Sequence, residues 1–180
     1  AWITSRRSPK PQVLAANVDN IFIVTSANRD FNLNKIQRYL TVAWDSGAAP
    51  YIVLSKSDLA GGAEDYCGRV KQIAGGTEVL PVSVLLGRGL EKIRQILSPR
   101  SVSVFLGSSG VGKSTLVNAI AGEEVMETAQ IRGDGKGRHT TTSRQMILLE
   151  SGAMIIDTPG MREFGVWAAD LDQTFVNIAE

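Results

Sequence analysis

Across most of the 180 residues, short β-branched and apolar runs alternate with stretches whose apolar positions recur at helical spacing. QVLAAN (12–17) and NIFIVTSA (20–27) have strand character. NLNKIQRYLTVAWDSG (32–47) puts Leu33, Ile36, Leu40 and Ala43 on one helical face, with Asn32 as N-cap and Gly47 as stop. PYIVLSKSDL (50–59) reads as a strand opening into a loop, 64–74 as a helix, and TEVLPVS (77–83) as a strand. RGLEKIRQIL (88–97) spaces Leu90, Ile93, Ile96 and Leu97 for a helix. SVSVFLGSSGVGKSTLVNAIAG (101–122) reads as strand, glycine loop and helix. RQMILLE and GAMIIDTPG form a hairpin around Ser151 and Gly152. The glycine- and threonine-rich stretch 131–142 reads as an exposed loop, and the basic, aperiodic AWITSRRSPKP (1–11) as a linker or domain tail. Alternation of this kind predicts an α/β fold, a mainly parallel sheet covered on both faces.

Composition adds limits rather than direction. Hydrophobic residues make up 43% and charged ones 21%, enough for a sizeable core, and the net charge of +1 gives no general attraction for nucleic acid. Cys67 is the single cysteine, which excludes an internal disulfide or a multi-cysteine zinc site in these residues and fits a reducing cytosol. No apolar run approaches the roughly eighteen residues that span a bilayer.

Gly107-x-x-x-x-Gly112-Lys113-Ser114 matches the P-loop. Glycines at Gly107, Gly110 and Gly112 let the backbone amides from Ser108 through Val111 to Thr115 converge on phosphate oxygens without side-chain obstruction. Lys113 reaches the β- and γ-phosphates, Ser114 ligates Mg²⁺, and the following helix points its positive end at the nucleotide. The pattern arises by chance in fewer than about one in a hundred chains of this length. Such a loop makes the fold a P-loop NTPase three-layer sandwich.

Asp157-Thr-Pro-Gly160 follows a strand and fits the sensor that holds Mg²⁺ through water and reports the γ-phosphate. Asp65-x-x-Gly68 matches the same short pattern inside an expected helix and is set aside. Ser55-Lys56-Ser57-Asp58 ends a strand where GTPases carry Asn/Thr-Lys-x-Asp. There the carboxylate accepts from the two N–H donors on guanine's pyrimidine edge and the lysine stem packs on the base; adenine presents no such donor pair. Serine in place of asparagine at Ser55 weakens one hydrogen bond. A backbone N–H near Ser83 and Val84, in PVSV, is placed to meet guanine O6. In GRHTTTSR, a threonine can lend its hydroxyl to Mg²⁺ and its amide to the γ-phosphate; Thr141 is favoured by its distance to Asp157, with Thr140 and Thr142 as rivals. Trp44 and Trp167 read as packing residues, and Cys67 as half-buried and inert.

GTPases run phosphate loop, threonine, Asp-x-x-Gly, base-reading Asp, serine loop. This chain runs base reader, serine loop, phosphate loop, threonine, Asp-x-x-Gly. Moving 12–97 behind residue 180 restores the usual order, and a parallel sheet permits it, because all five loops meet outside the carboxyl ends of the strands wherever the chain is cut. The prediction is a circularly permuted GTPase domain over 12–180.

With QVLAANVDNIFIV, GSSGVGKSTLVNAI, GRHTTTSR and IIDTPGMREFG in this order, the chain resembles the ribosome small-subunit-dependent GTPase family (RsgA, also called YjeQ) over roughly residues 3–180. The resemblance implies GTP and GDP as ligands with Mg²⁺ bound by Ser114, Thr141 and Asp157. It implies a cytoplasmic, monomeric factor in late assembly of the small (30S) ribosomal subunit, touching its rRNA, slow alone and stimulated by the ribosome. It also implies an OB-fold before this domain, of which residues 1–11 would be the remnant, and a Cys/His zinc domain after it, which these residues lack. Family members carry a hydrophobic residue where other GTPases use a water-positioning Gln, a description that Met161 fits. Lys113, Thr141, Gly160 and His139, the one histidine, are then the catalytic candidates, with His139 or a ribosomal group positioning the water. The rival readings are a P-loop ATPase or kinase, which leaves SKSD idle, a nucleotide-held scaffold, and a permuted GTPase of the large subunit.

Overall fold

A computed structural model of the chain describes residues 2–5, 12–28, 31–59, 63–126 and 145–157, and 2–5, 12–14, 63, 145 and 157 by backbone alone. Two strands, β1 (Trp2–Ser5) and β2 (Gln12–Ala16), pair antiparallel in a sheet of their own. Residues 2–5 are thus a strand where the sequence reads as part of an aperiodic tail, and β2 pairs with it outside the large sheet. A four-residue run is too short to show a period, and a strand's alternation does not select its partner.

The remaining strands are β3 (Asn20–Ser26), β4 (Ala49–Ser55), β5 (Glu78–Pro81), β6 (Val102–Leu106), β7 (Gln145–Leu148) and β8 (Met154–Asp157). They form one sheet in the order β5-β4-β3-β6-β8-β7, parallel except for the β7–β8 hairpin. All seven residues of β3 are buried, with the apolar run Ile21 to Val24 at its centre, as expected of a strand covered on both faces. Phe22 stacks at its centre between Phe105 (4.7 Å) and Tyr51 (5.3 Å).

Among the described residues four helices cover the sheet: α1 (Leu33–Ser46), α2 (Ala63–Ile73), α3 (Leu90–Ile96) and α4 (Lys113–Ala121). On one face Ile36, Leu40 and Ala43 of α1 and Val70 of α2 pack on Ile21, Ile23, Ile52 and Leu106. On the other, Leu90 and Ile93 of α3 and Leu116 and Val117 of α4 pack on Phe22, Val24, Val53 and Phe105. The expected three-layer sandwich is thus present. Trp44 is nearly half exposed, its ring lying against Gly75. Cys67 is half-buried on α2, as expected, and burial pushes its thiol pKa up. No helix of the described residues is long and apolar enough to cross a membrane.

α1 starts and stops where the sequence says. The Asn32 side chain accepts from Lys35 N at 3.1 Å, and Gly47 closes the helix at φ 76°. Asn32→Ala should therefore cost about 1 kcal/mol, a fall of roughly 2–4 °C in melting temperature for a chain of this size. Calorimetry showing no change would mean that the cap is redundant.

Chain direction sets where ligands bind. β3 leads into α1 on one face and β6 into α4 on the opposite face, while β3 and β6 lie side by side. Between such strands the loops diverge and leave a crevice outside their carboxyl ends.

Candidate functional site

The loop from Gly107 to Gly112 fills that crevice, between β6 and the first turn of α4. Its glycines have specific geometric reasons to be glycine. Gly107, at φ 154°, passes so close to β3 that a Cβ would sit 2.3 Å from the Val24 carbonyl oxygen. Gly110 and Gly112 turn at φ 81° and 96°, in the left-handed region. Val111 is the loop's buried anchor, 4% exposed in the core, whereas Ser109, Gly110 and Thr115 face solvent and Ser108, Lys113 and Ser114 are half-buried. Lys113 Nζ donates to the carbonyls of Gly107 (2.7 Å) and Ser108 (2.8 Å), so its ammonium is folded over the loop that it would serve.

The leading half of the chain meets this loop directly. Ser55, at the end of β4, is 5% exposed, and its hydroxyl lies 2.6 Å from the Val111 carbonyl and 2.9 Å from that of Thr25. Its single proton is spent on these two acceptors, so Ser55 ties β3, β4 and the glycine loop together from below. This is where the structure places Ser55, the residue that the sequence offers as a nucleotide contact. Lys56 Nζ donates to the Gly110 carbonyl at 3.2 Å, laying the lysine stem across the loop. Its backbone is left-handed (φ 55°), a conformation that costs a non-glycine residue and clusters where function requires it.

Ser57 N donates to the Val82 carbonyl at 3.1 Å, fixing the β4 loop to the segment after β5. There the Ser83 hydroxyl donates to Asp58 Oδ1 at 2.5 Å and accepts from Leu86 N at 3.1 Å. A contact this short is that of a charge-assisted bond. It brings the two stretches picked from sequence as base readers, 25 residues apart, onto one carboxylate. The expected amide is narrowed at the same time. Ser83 N is taken by the Arg88 carbonyl (3.0 Å) in the small turn 83–88, whereas the Val84 amide makes no such bond among the described residues. Of the pair, Val84 is the one left for a ligand.

Asp157 ends β8 at the same edge of the sheet, one residue beyond the pairing of Ile156 with Val104. Thr140, Thr141, Thr142, His139, Gly160, Met161 and Trp167 lie outside the described residues. Asp65 and Gly68 fall within α2, which supports setting that match aside.

Sequence reasoning missed one contributor. A crevice beside the loop is lined by Thr25, Asn32, Lys35, Tyr39, Ser108 and Val111. Lys35 and Tyr39 come from α1, and no signature marks them: they stand one helical turn apart on a helix whose visible pattern is apolar.

The RsgA GTPase family model matches residues 2–167. Small ribosomal subunit biogenesis GTPase RsgA 1 of Listeria monocytogenes is 50% identical over 172 residues, covering 94% of this chain and 50% of that protein. Small ribosomal subunit biogenesis GTPase RsgA 2 of Lactiplantibacillus plantarum is 48% identical over 169 residues, covering 93% and 48%. Among solved structures, YjeQ from Thermotoga maritima superposes with a TM-score of 0.64 at 25% identity, over 92% of this chain and 55% of that one. YloQ, described as a circularly permuted GTPase, gives a TM-score of 0.56 at 25% identity, over 87% and 48%. The chain spans about half the length of the curated relatives it matches.

Proposed function

The chain belongs to the RsgA GTPase family, and from that premise we propose that its cleft binds GTP and hydrolyses the γ-phosphate in the service of small ribosomal subunit assembly. The observation that carries the nucleotide half of this reading is the Ser83–Asp58 bond at 2.5 Å beside a loop on which Lys56 already lies. An ATPase or kinase needs the glycine loop and Lys113 but has no use for a carboxylate held by Ser83 two residues after the lysine that lies on that loop. The ribosomal half rests on the curated relatives' names, which belong to proteins about twice as long.

In the proposed complex the purine lies against the Lys56 stem, with Asp58 accepting from its N–H edge and the Val84 amide meeting its carbonyl. The triphosphate runs along the amides of Ser108 to Ser114. Lys113 exchanges its two carbonyl partners for phosphate oxygens, so its charge is in place before the substrate arrives. Water attacks the γ-phosphorus in line while the bond to the β–γ bridging oxygen breaks, so that GDP leaves and the water's protons pass to the phosphate and solvent. Lys113 with the loop amides stabilises the charge that spreads over the equatorial oxygens. His139, or a group on the ribosome, positions the water; Thr141 and Gly160 contribute at the γ-phosphate.

The donor set suits Mg²⁺: hydroxyls of Ser114 and Thr141 and the carboxylate of Asp157 are hard oxygen ligands. Among the described residues no three His, Cys, Asp or Glu come together, and Mg²⁺ in such sites takes most of its remaining ligands from phosphates and water. When bound, the ion would offset the negative charge of the phosphates.

Competition between GTP and ATP for the purified protein tests the reading. ATP in tenfold excess should leave most bound fluorescent GTP analogue in place. Equal displacement by the two nucleotides would favour the ATPase alternative.

A further inference from the structure

The glycine loop is held from behind by the first residue of the base-reading stretch. Ser55 places its hydroxyl 2.6 Å from the Val111 carbonyl and 2.9 Å from that of Thr25. β4 pairs with β3 up to Ser26 and Ser55, so the sheet, not the loop, sets where this hydroxyl stands. In a trans peptide the C=O of one residue and the N–H of the next point in opposite directions. Each bond that holds a loop carbonyl therefore aims the following amide away from the holder. Ser55 on the Val111 carbonyl orients the Gly112 N–H, and Lys56 on the Gly110 carbonyl (3.2 Å) orients that of Val111. Lys113, on the carbonyls of Gly107 and Ser108, does the same for the amides of Ser108 and Ser109.

These supports differ in permanence. In the proposed complex Lys113 leaves its carbonyls for phosphate oxygens, and Lys56 is a half-buried side chain whose stem also serves the base. Of the three, only the Ser55 bond is buried at both ends, with Ser55 5% and Val111 4% exposed. We infer that Ser55 is a positioning residue for the phosphates: it acts through Val111 to fix the Gly112 amide and touches no part of the nucleotide itself. This rests on the proposed GTP-binding function and deepens it, since the stretch that reads the base then also governs affinity for the phosphates. Amides that must meet an anion bind best when their geometry is fixed beforehand; otherwise ordering the loop is subtracted from the affinity.

Ser55→Ala tests this, with guanosine, GDP and GTP each competed against a fluorescent GDP analogue. Loss of the bond to a buried carbonyl should weaken GDP and GTP by about tenfold. Guanosine, which has no phosphate to meet the loop, should bind as it does to the wild type. A direct base contact would instead weaken all three ligands in the same proportion. A purely structural serine would lower the melting temperature of the nucleotide-free protein and leave the three affinities unchanged. Either result overturns the inference. Should the alanine variant not fold, Ser55→Cys nearly preserves the volume with a weaker donor, and the same split between guanosine and GDP is expected at smaller size; equal losses would again overturn the inference. Failure of the functional reading is distinguishable, because the wild-type protein would then take up no guanine nucleotide, which overturns both.

Discussion

Asp58→Asn should weaken GTP binding by roughly a hundredfold or more and raise affinity for xanthosine triphosphate, with little change in folding. The fold is spared because the Ser83 hydroxyl, 2.5 Å from Oδ1, can still donate to an amide oxygen. That same bond then orients the substituted side chain, leaving its NH₂ facing the ligand. Guanine presents two N–H donors at this edge, and a donor cannot satisfy donors: two bonds to a charged acceptor are lost and the groups remain unpaired. Xanthine replaces one of these donors with a carbonyl, which the amide can serve. Titration of a fluorescent guanine analogue, followed by competition with the xanthine nucleotide, measures both effects. An unaltered affinity for GTP would remove Asp58 from the pocket and with it the main distinction from an ATPase.

The comparison between sequence and structure is uneven in an instructive way. Local signals were faithful: Asn32 and Gly47 bound α1, Ser151 and Gly152 turn the β7–β8 hairpin, and the glycine loop sits between strand and helix. These depend on the conformational preferences of a few neighbouring residues. That the base-reading stretches and the glycine loop lie at the same edge as the end of β8 was also legible, because a parallel sheet leaves the carboxyl ends little choice. Pairwise chemistry was not. The Ser55 hydroxyl bonds the carbonyl of Val111, 56 residues away, a partner that no local pattern marks. Ser83 and Val84 were interchangeable as amide donors until the 83–88 turn consumed one of them. β1 escaped notice because its partner, not its own four residues, makes it a strand.

Gly107→Ala should produce the most severe loss of all, and a paired substitution shows why. Alanine at this position meets two penalties. Its φ of 154° is in territory that L-residues rarely occupy, and its Cβ would lie 2.3 Å from the Val24 carbonyl oxygen, well inside contact distance. Val24 cannot yield: it is 2% exposed, in a strand paired on both sides. The loop must yield instead, and it carries Ser108, the carbonyls that hold Lys113, and the amides meant for phosphate. Strain and clash together should lower stability by about 3 kcal/mol, or roughly 6–12 °C in melting temperature, and displacement of the amides should abolish measurable nucleotide binding. Gly110→Ala is the control: its φ of 81° is also left-handed, but nothing lies within 4 Å of its Cβ. It meets the conformational cost alone, about 1 kcal/mol, and should keep a measurable affinity. If the two variants prove equally damaging, backbone conformation rather than the close approach to β3 is what requires glycine at the head of the loop. If Gly107→Ala still binds GTP as the wild type does, the amides of this loop are not the phosphate site.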